Sequence, residues 1–246
     1  MRLVLEVENV ARAGMDKVFA LASKLRLRAV LLPLSSLAIE PAALIEAEAA
    51  RLRLAASNAG VTIAGLTGVM AGAAHRLVGG DTSRAAALAQ LQATIRLCTE
   101  LGARLMCFEL SAWETWRGRL RPDQAKTLAV EVLRRCVPLA ESRRVTLCVG
   151  SGEAGLAERF VRKVDHPNIR LACDAAAPKQ LTQSLRDTRL VRARLLDDPK
   201  TLGKALGTLG YAHWLSLRLD GGETDAAAAQ TWLKALRSAG GLAAGE

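Results

Sequence analysis

Three charged residues sit at or near the ends of apolar runs in the second half of the chain. Asp174 follows the run 169–173, Arg194 lies within 190–196, and Arg218 lies within 214–219. A carboxylate can hold a cation or take a proton. A guanidinium can do neither, because it has no free lone pair and stays protonated. It does match phosphate and carboxylate with two parallel N–H bonds. Side chains on a strand alternate between faces with period two. Arg170, Ala172 and Asp174 therefore share a face, as do Arg192 and Arg194, and Ser216, Arg218 and Asp220. Two readings stay open. Asp174 pairs with Arg194 or Arg218, or the arginines form an anion-binding mouth to which the Gly221–Gly222 turn adds backbone N–H groups. Glu109 ends an earlier run, and Glu114 follows it between Trp113 and Trp116. That loop either contacts a sugar ring, or its two tryptophans cover the top of the fold beside solvated carboxylates. Glu153 falls in Ser151-Gly152-Glu153, which lacks the full G-x-S-x-G of a nucleophile elbow. His75 lies in the Gly- and Ala-rich stretch 67–81, the longest loop, where it can reach a ligand.

The elements that must position these residues read as alternating strands and helices. Strands are expected at 3–7, 29–33, 61–66, 104–108, 145–149, 169–173, 190–196 and 214–219. Helices are expected at 14–25, 41–58, from 81–83 to about 101, and at 122–142, 155–164, 179–185, 199–209 and 225–238. Eight such units in ~250 residues is the size of a TIM barrel, an α/β (β/α)8 fold whose sites lie at the C-terminal ends of the strands. A doubly wound open sheet is the alternative, and the absence of G-x-G-x-x-G after the first strand argues against it. No shift of composition divides the chain, so residues 1–246 read as a single domain with a frayed tail at 239–246. His166 and His213 precede or begin strands, which puts both at the opposite rim from the site.

Hydrophobic residues make up 50% of the 246, enough for a large core, and aromatic residues only 3%, so the core is aliphatic. No apolar run reaches the ~18–20 residues that cross a bilayer. Acidic residues at Glu6 and Glu8 interrupt what would otherwise resemble a leader. Five cysteines without CxxC spacing read as buried free thiols of a cytoplasmic protein. The net charge of +10 is spread over arginines along the helices, with no Lys-rich tail and no interleaved aromatics. That pattern reads as a solvated exterior and argues against nucleic acid as a partner.

Four stretches in order carry a resemblance. Residues 141–149 (ESRRVTLCV) look like a helix end and fifth strand. Residues 166–174 (HPNIRLACD) resemble "S-P-N-x-x-L-x-x-D". Residues 191–197 (VRARLLD) resemble "V-x-x-H-x-K-D", and 210–218 (GYAHWLSLR) resemble "G-Y-x-G-x-x-x-x-E". Together they resemble the xylose isomerase-like TIM barrels, the sugar phosphate isomerases and epimerases. The resemblance implies a divalent ion held by Glu, Asp, His and Glu at four strand ends. The two Glu shuttle a proton beside a carbonyl. Of these positions only Asp174 keeps its ligand. Gly150 stands for the first Glu, Arg194 for the His and Arg218 for the last Glu, and the His that often follows the Asp is Ala177. The expectation is therefore a degenerate barrel with no cofactor and its ancestral metal lost. It would bind an anionic small molecule or a protein partner at its mouth. If active, it is an isomerase or epimerase of a sugar or sugar phosphate with relocated ligands, such as Glu109, Glu153 and His75 beside Asp174. The family's abasic-site endonuclease branch offers nucleic-acid binding as a further alternative. Its His- and Glu-rich zinc cluster is not matched by three scattered histidines.

Overall fold

A computed structural model of the chain describes residues 1–8, 14–37, 46–71, 74–110, 120–151, 155–175, 187–219 and 225–239. Eight parallel strands close into a barrel in sequence order. They are β1 (Arg2–Val7), β2 (Ala29–Pro33), β3 (Thr62–Val69), β4 (Leu105–Glu109), β5 (Thr146–Gly150), β6 (Ile169–Asp174), β7 (Thr188–Arg194) and β8 (Trp214–Leu219). The described helices are α1 (Met15–Lys24), α2 (Glu46–Asn58), α3 (Asp81–Glu100), α4 (Pro122–Ser142), α5 (Leu156–Val164), α6 (Pro199–Thr208) and α7 (Asp225–Ser238). The helix expected at 179–185 lies outside the described residues. Most strand and helix ends fall within two residues of the sequence expectation; β3 runs three residues further. Pro33 stands at the last position of β2, where its missing N–H costs no ladder bond in mid-strand.

Two apolar layers follow from strand alternation. Val4, Leu31, Leu105, Cys107, Cys148, Ala172 and Leu190 point inward and fill the barrel. Leu5, Leu32, Leu66, Phe108, Val149 and Leu217 point outward and meet the helices through Phe19, Ile95, Phe160 and Leu233. On α5 the buried residues Leu156, Ala157, Phe160, Val161 and Val164 recur at i, i+4 and i+8 spacing and make one apolar face. Each large side chain buried in this way stabilises the fold by about 1.5–3 kcal/mol. Gly65 lets β3 and β4 approach. A Cβ there would sit 2.5 Å from the Leu105 carbonyl oxygen.

Helix ends set how the chain enters each strand. Asp198 caps α6, accepting from the backbone N–H groups of Lys200 and Thr201, with Pro199 in the first turn. Such a cap contributes about 1 kcal/mol. The chain leaves α2, α3 and α6 through glycines with positive φ, Gly60, Gly102 and Gly210. After α1, α4 and α5 the same left-handed turn is made by Arg26, Arg144 and Asp165. A non-glycine residue in that conformation costs about 1–2 kcal/mol.

Candidate functional site at the C-terminal end of the barrel

Directly above the apolar filling lies a layer of charge. It comes from inward positions toward the C-terminal ends of five strands. β1 contributes Glu6, β4 Glu109, β6 Asp174, β7 Arg192, and β8 both Ser216 and Arg218. Glu6 is 2% exposed and Arg192 5% exposed. Arg192 Nη1 pairs with Glu109 Oε1, and its Nε lies 3.3 Å from Asp174 Oδ1. Arg218 pairs with Glu8 through Nη2, and its Nε lies 3.5 Å from Glu6 Oε1. Ser216 Oγ donates to Glu6 Oε2 at 2.9 Å.

The electrostatics follow from burial. Desolvation raises the pKa of the Glu6 carboxyl. Arg192, Arg218 and the Ser216 hydroxyl offset part of that, and Glu8 adds to it. For Arg192 burial works against the charge, but Glu109, Glu6 and Asp174 outweigh it, and the guanidinium is held above its ordinary value. Arg192 is thus a fixed buried cation with carboxylates gathered around it.

Each sequence candidate can now be placed. Glu109 and Asp174 come together, joined by Arg192. Asp174 does not pair with Arg194 or Arg218, as the sequence reading expected. The register puts Asp174 opposite Arg192, with a shift between Leu171 and Ala172. Arg194, two residues on, is the exposed last residue of β7. It is the ladder partner of Arg218, and it has no ion pair among the described residues. Its backbone N–H donates to Asp197 Oδ2 at 2.7 Å. Arg218 turns to β1. His75 falls in a short 3-10 helix, Ala74–Val78, after β3; nothing is described of its side chain. Glu153, Glu114, Trp113, Trp116, Ala177, Asp220 and the Gly221–Gly222 turn lie outside the described residues.

Two participants escaped the sequence reading, Glu6 and Arg192 as a partner. Their signal is present in alternation. Arg2, Val4, Glu6 and Glu8 share one face of the first strand, while Leu3, Leu5 and Val7 share the other. A carboxylate inside a barrel strand needs a cation on a neighbouring strand.

His166 and His213 lie at the N-terminal rim, as expected. His166 Nδ1 accepts from the Asn168 backbone N–H at 3.1 Å. His213 contacts Arg189 at 2.9 Å. Burial, then Arg189 and Arg170, lowers the His213 pKa.

Gly150 tests the fit to a divalent ion. A Cβ there would lie 2.5 Å from Arg192 Nη2 and 2.6 Å from both Glu109 carboxylate oxygens. The space into which a ligand side chain from β5 would grow is filled. Among the described residues no group of three or more His, Cys, Asp or Glu is arranged to hold a metal ion. Among the described residues, the carboxylates Glu109 and Asp174 are met here by the Arg192 guanidinium, a group that cannot ligate a cation.

A family model described as the xylose isomerase-like TIM barrel matches residues 7–178. The chain belongs to that family. Solved structures of the same fold accompany this xylose isomerase-like match. A D-psicose 3-epimerase from Clostridium cellulolyticum H10 superposes with a TM-score of 0.74 at 15% identity, over 98% of this chain and 99% of that one. A 3-keto-D-glucoside 4-epimerase from E. coli gives 0.72 at 13% identity, over 97% and 99%. A xylose isomerase domain protein from Planctomyces limnophilus gives 0.72 at 16% identity, over 97% and 96%. At such identities the likeness is one of fold. No curated protein matches the sequence. No helix among the described residues is long and apolar enough to cross a membrane.

Proposed function

We propose that this xylose isomerase-like barrel works without the metal-dependent isomerisation of its family, and that its C-terminal mouth binds a small anionic molecule. The observation that carries this reading is the crowding at Gly150 by Arg192 and Glu109. Arg192 supplies in covalent form the positive charge that a bound cation would otherwise provide to the carboxylates. It cannot polarise a carbonyl as a Lewis acid, nor take a proton from carbon. Arg218 is balanced by Glu6 and Glu8. Among the described residues, Arg194, exposed at the rim beside Arg218, is the mouth cation without an ion pair and so the one left to meet a phosphate or carboxylate. Free cysteines, four of them buried, support residence in a reducing compartment such as the cytoplasm.

A second reading is a working sugar isomerase or epimerase with relocated ligands. It rests on Glu109 and Asp174, carboxylates that survive at strand ends and face one point. One experiment separates the two. The protein is incubated with Mn²⁺, Mg²⁺ and Zn²⁺, desalted and analysed for metal, and its melting temperature is followed with phosphate, a sugar phosphate and citrate. The proposal expects substoichiometric metal and an anion-dependent rise in melting temperature that Arg194→Ala removes. Near-stoichiometric metal would favour the working enzyme. An anion effect that survives Arg194→Ala would refute the mouth as the anion site.

A further inference from the structure

At the other end of the barrel, where no sequence candidate was placed, arginines converge on a cavity of about 260 Å³. Arg2 opens β1, Arg26 and Arg28 precede β2, and Arg237 lies in the last turn of α7; all four line the cavity and are exposed. Trp214, the first residue of β8, lies at the barrel floor and packs against the inner apolar layer. The Arg2 guanidinium lies over its ring, 5.4 Å from the centroid. Along the chain Arg2, the neighbours Arg26 and Arg28, and Arg237 lie far from one another, so linear spacing does not show them as one patch. Barrel closure collects them.

Three features suit this cavity to a ligand. Its lining contains four guanidiniums and no carboxylate, and none of the four has an ion pair among the described residues. Its wall is apolar between the arginines, with Leu27 and Ala29 buried. The backbone that carries two of its cations is fixed. The Arg28 carbonyl accepts from both the backbone N–H (2.9 Å) and the hydroxyl (3.1 Å) of Thr62, which also lines the cavity. Arg26 occupies a left-handed position, φ 56°, at a helix exit; Arg144 and Asp165 do the same at two other exits, and glycine serves at three. Keeping a cation there works against the backbone preference.

We infer that the N-terminal end of the barrel binds a small phosphorylated molecule with a planar or apolar portion, of the nucleoside monophosphate class. Guanidiniums take the phosphate through paired, charge-assisted bonds. The apolar wall and the indole edge take the remainder. This site is separate from the mouth, and its existence does not depend on how the mouth functions.

The test is calorimetric titration of the full chain with adenosine monophosphate and with inorganic phosphate at low ionic strength. In the Arg194→Ala background, which removes the anion site proposed at the mouth, adenosine monophosphate should bind saturably at one site, more tightly than phosphate alone, and more weakly as salt is added. Arg28→Gln with Arg237→Gln in the same background should weaken it by about tenfold or more, whereas Arg194→Ala by itself should leave it unchanged. Arg26→Gly should raise the melting temperature, by relieving the left-handed turn, and weaken binding at the same time. A rim with no ligand would show only the first effect. The inference is overturned if no saturable binding occurs, or if the double variant binds as the parent does. It is also overturned if Arg194→Ala abolishes binding. Binding of a single-stranded oligonucleotide that adenosine monophosphate does not displace would replace it with a nucleic-acid interface.

Discussion

Replacing Arg192 by Met asks whether the buried guanidinium holds the site together. The substitution keeps a long unbranched stem and removes only the charged fork. In the parent, Glu6 is 2% exposed and relies on positive charge from Arg192 and Arg218. The side chain of Glu109 is 32% exposed and that of Asp174 48%. Asp174 therefore counts as a surface pair worth about 0–1 kcal/mol. Glu109 and Glu6 carry most of the loss, and removing one member of a buried pair costs about 3–5 kcal/mol. For a chain of this size that is a fall in melting temperature of roughly 6–20 °C. The pH dependence has a fixed sign. Burial already raises the Glu6 pKa, and without Arg192 one of the charges that hold it down is gone, so it rises further. The Glu6 contribution is then greatest when the carboxyl is protonated and is lost as pH rises through its folded value. Urea unfolding of parent and variant at about pH 7 and about pH 5 measures both quantities. The variant should lose less at the lower pH. A loss under about 1 kcal/mol, or a larger loss at pH 5 than at pH 7, refutes the idea that Arg192 neutralises this cluster.

A Cβ at Gly150 would meet the ends of the Arg192 and Glu109 side chains, so Gly150→Ala should displace that pair and destabilise by no more than about 1 kcal/mol in chemical unfolding. The pair Gly150→Glu and Arg218→Glu should fail to bind Mn²⁺ at micromolar affinity by electron paramagnetic resonance, because Arg192 still occupies the space. His213 has its folded pKa below the ordinary imidazole value, so the neutral ring favours the fold. That contribution is full above about pH 6.5 and is lost as pH falls through the folded value; His213→Gln should flatten this part of the stability–pH curve. Cys98, Cys107, Cys136 and Cys148 are buried, and burial pushes the thiols of Cys98 and Cys136 up to about 12. A thiol reagent at about pH 8 should find no more than Cys173 in the native protein and all five in denaturant.

The barrel was legible because each strand is a short apolar run between turn signals and each helix carries its own stops. β2, β8, α4 and α7 sit where the sequence places them. The charged layer was legible only in part. Asp174, Glu109 and Arg218 were found from their positions at or near strand ends. The partner of Asp174 was missed because motif alignment places Arg194 at the His position, whereas pairing depends on the stagger of β6 against β7. That stagger includes the shift at Leu171/Ala172, and nothing local in either strand encodes it. Glu6 was missed for a different reason. It was weighed as a charge that breaks a leader, when its alternation with Val4 and Glu8 already placed it inside. The cavity arginines were invisible for a third. A ring closure brings Arg2 beside Arg237, and linear spacing carries no trace of that.

The seam between β1 and β8 joins the two ends of the chain. Its ladder runs from Arg2 opposite Trp214 to Val7 opposite Leu219, and the Glu6–Ser216 hydrogen bond spans 210 residues. During synthesis β1 is made before the other strands and waits for its second neighbour until β8 has been made. A strand with one side unpaired is a template for aggregation, and inward-pointing charge is a natural guard against it. Glu6 and Glu8 provide that guard, since another strand docking on this edge would bury two carboxylates with no cation to meet them. Only β8 brings Arg218. The same pairing that neutralises the mouth therefore selects the correct last strand, and a chain lacking β8 should be caught as an open, aggregation-prone intermediate rather than as a smaller stable barrel.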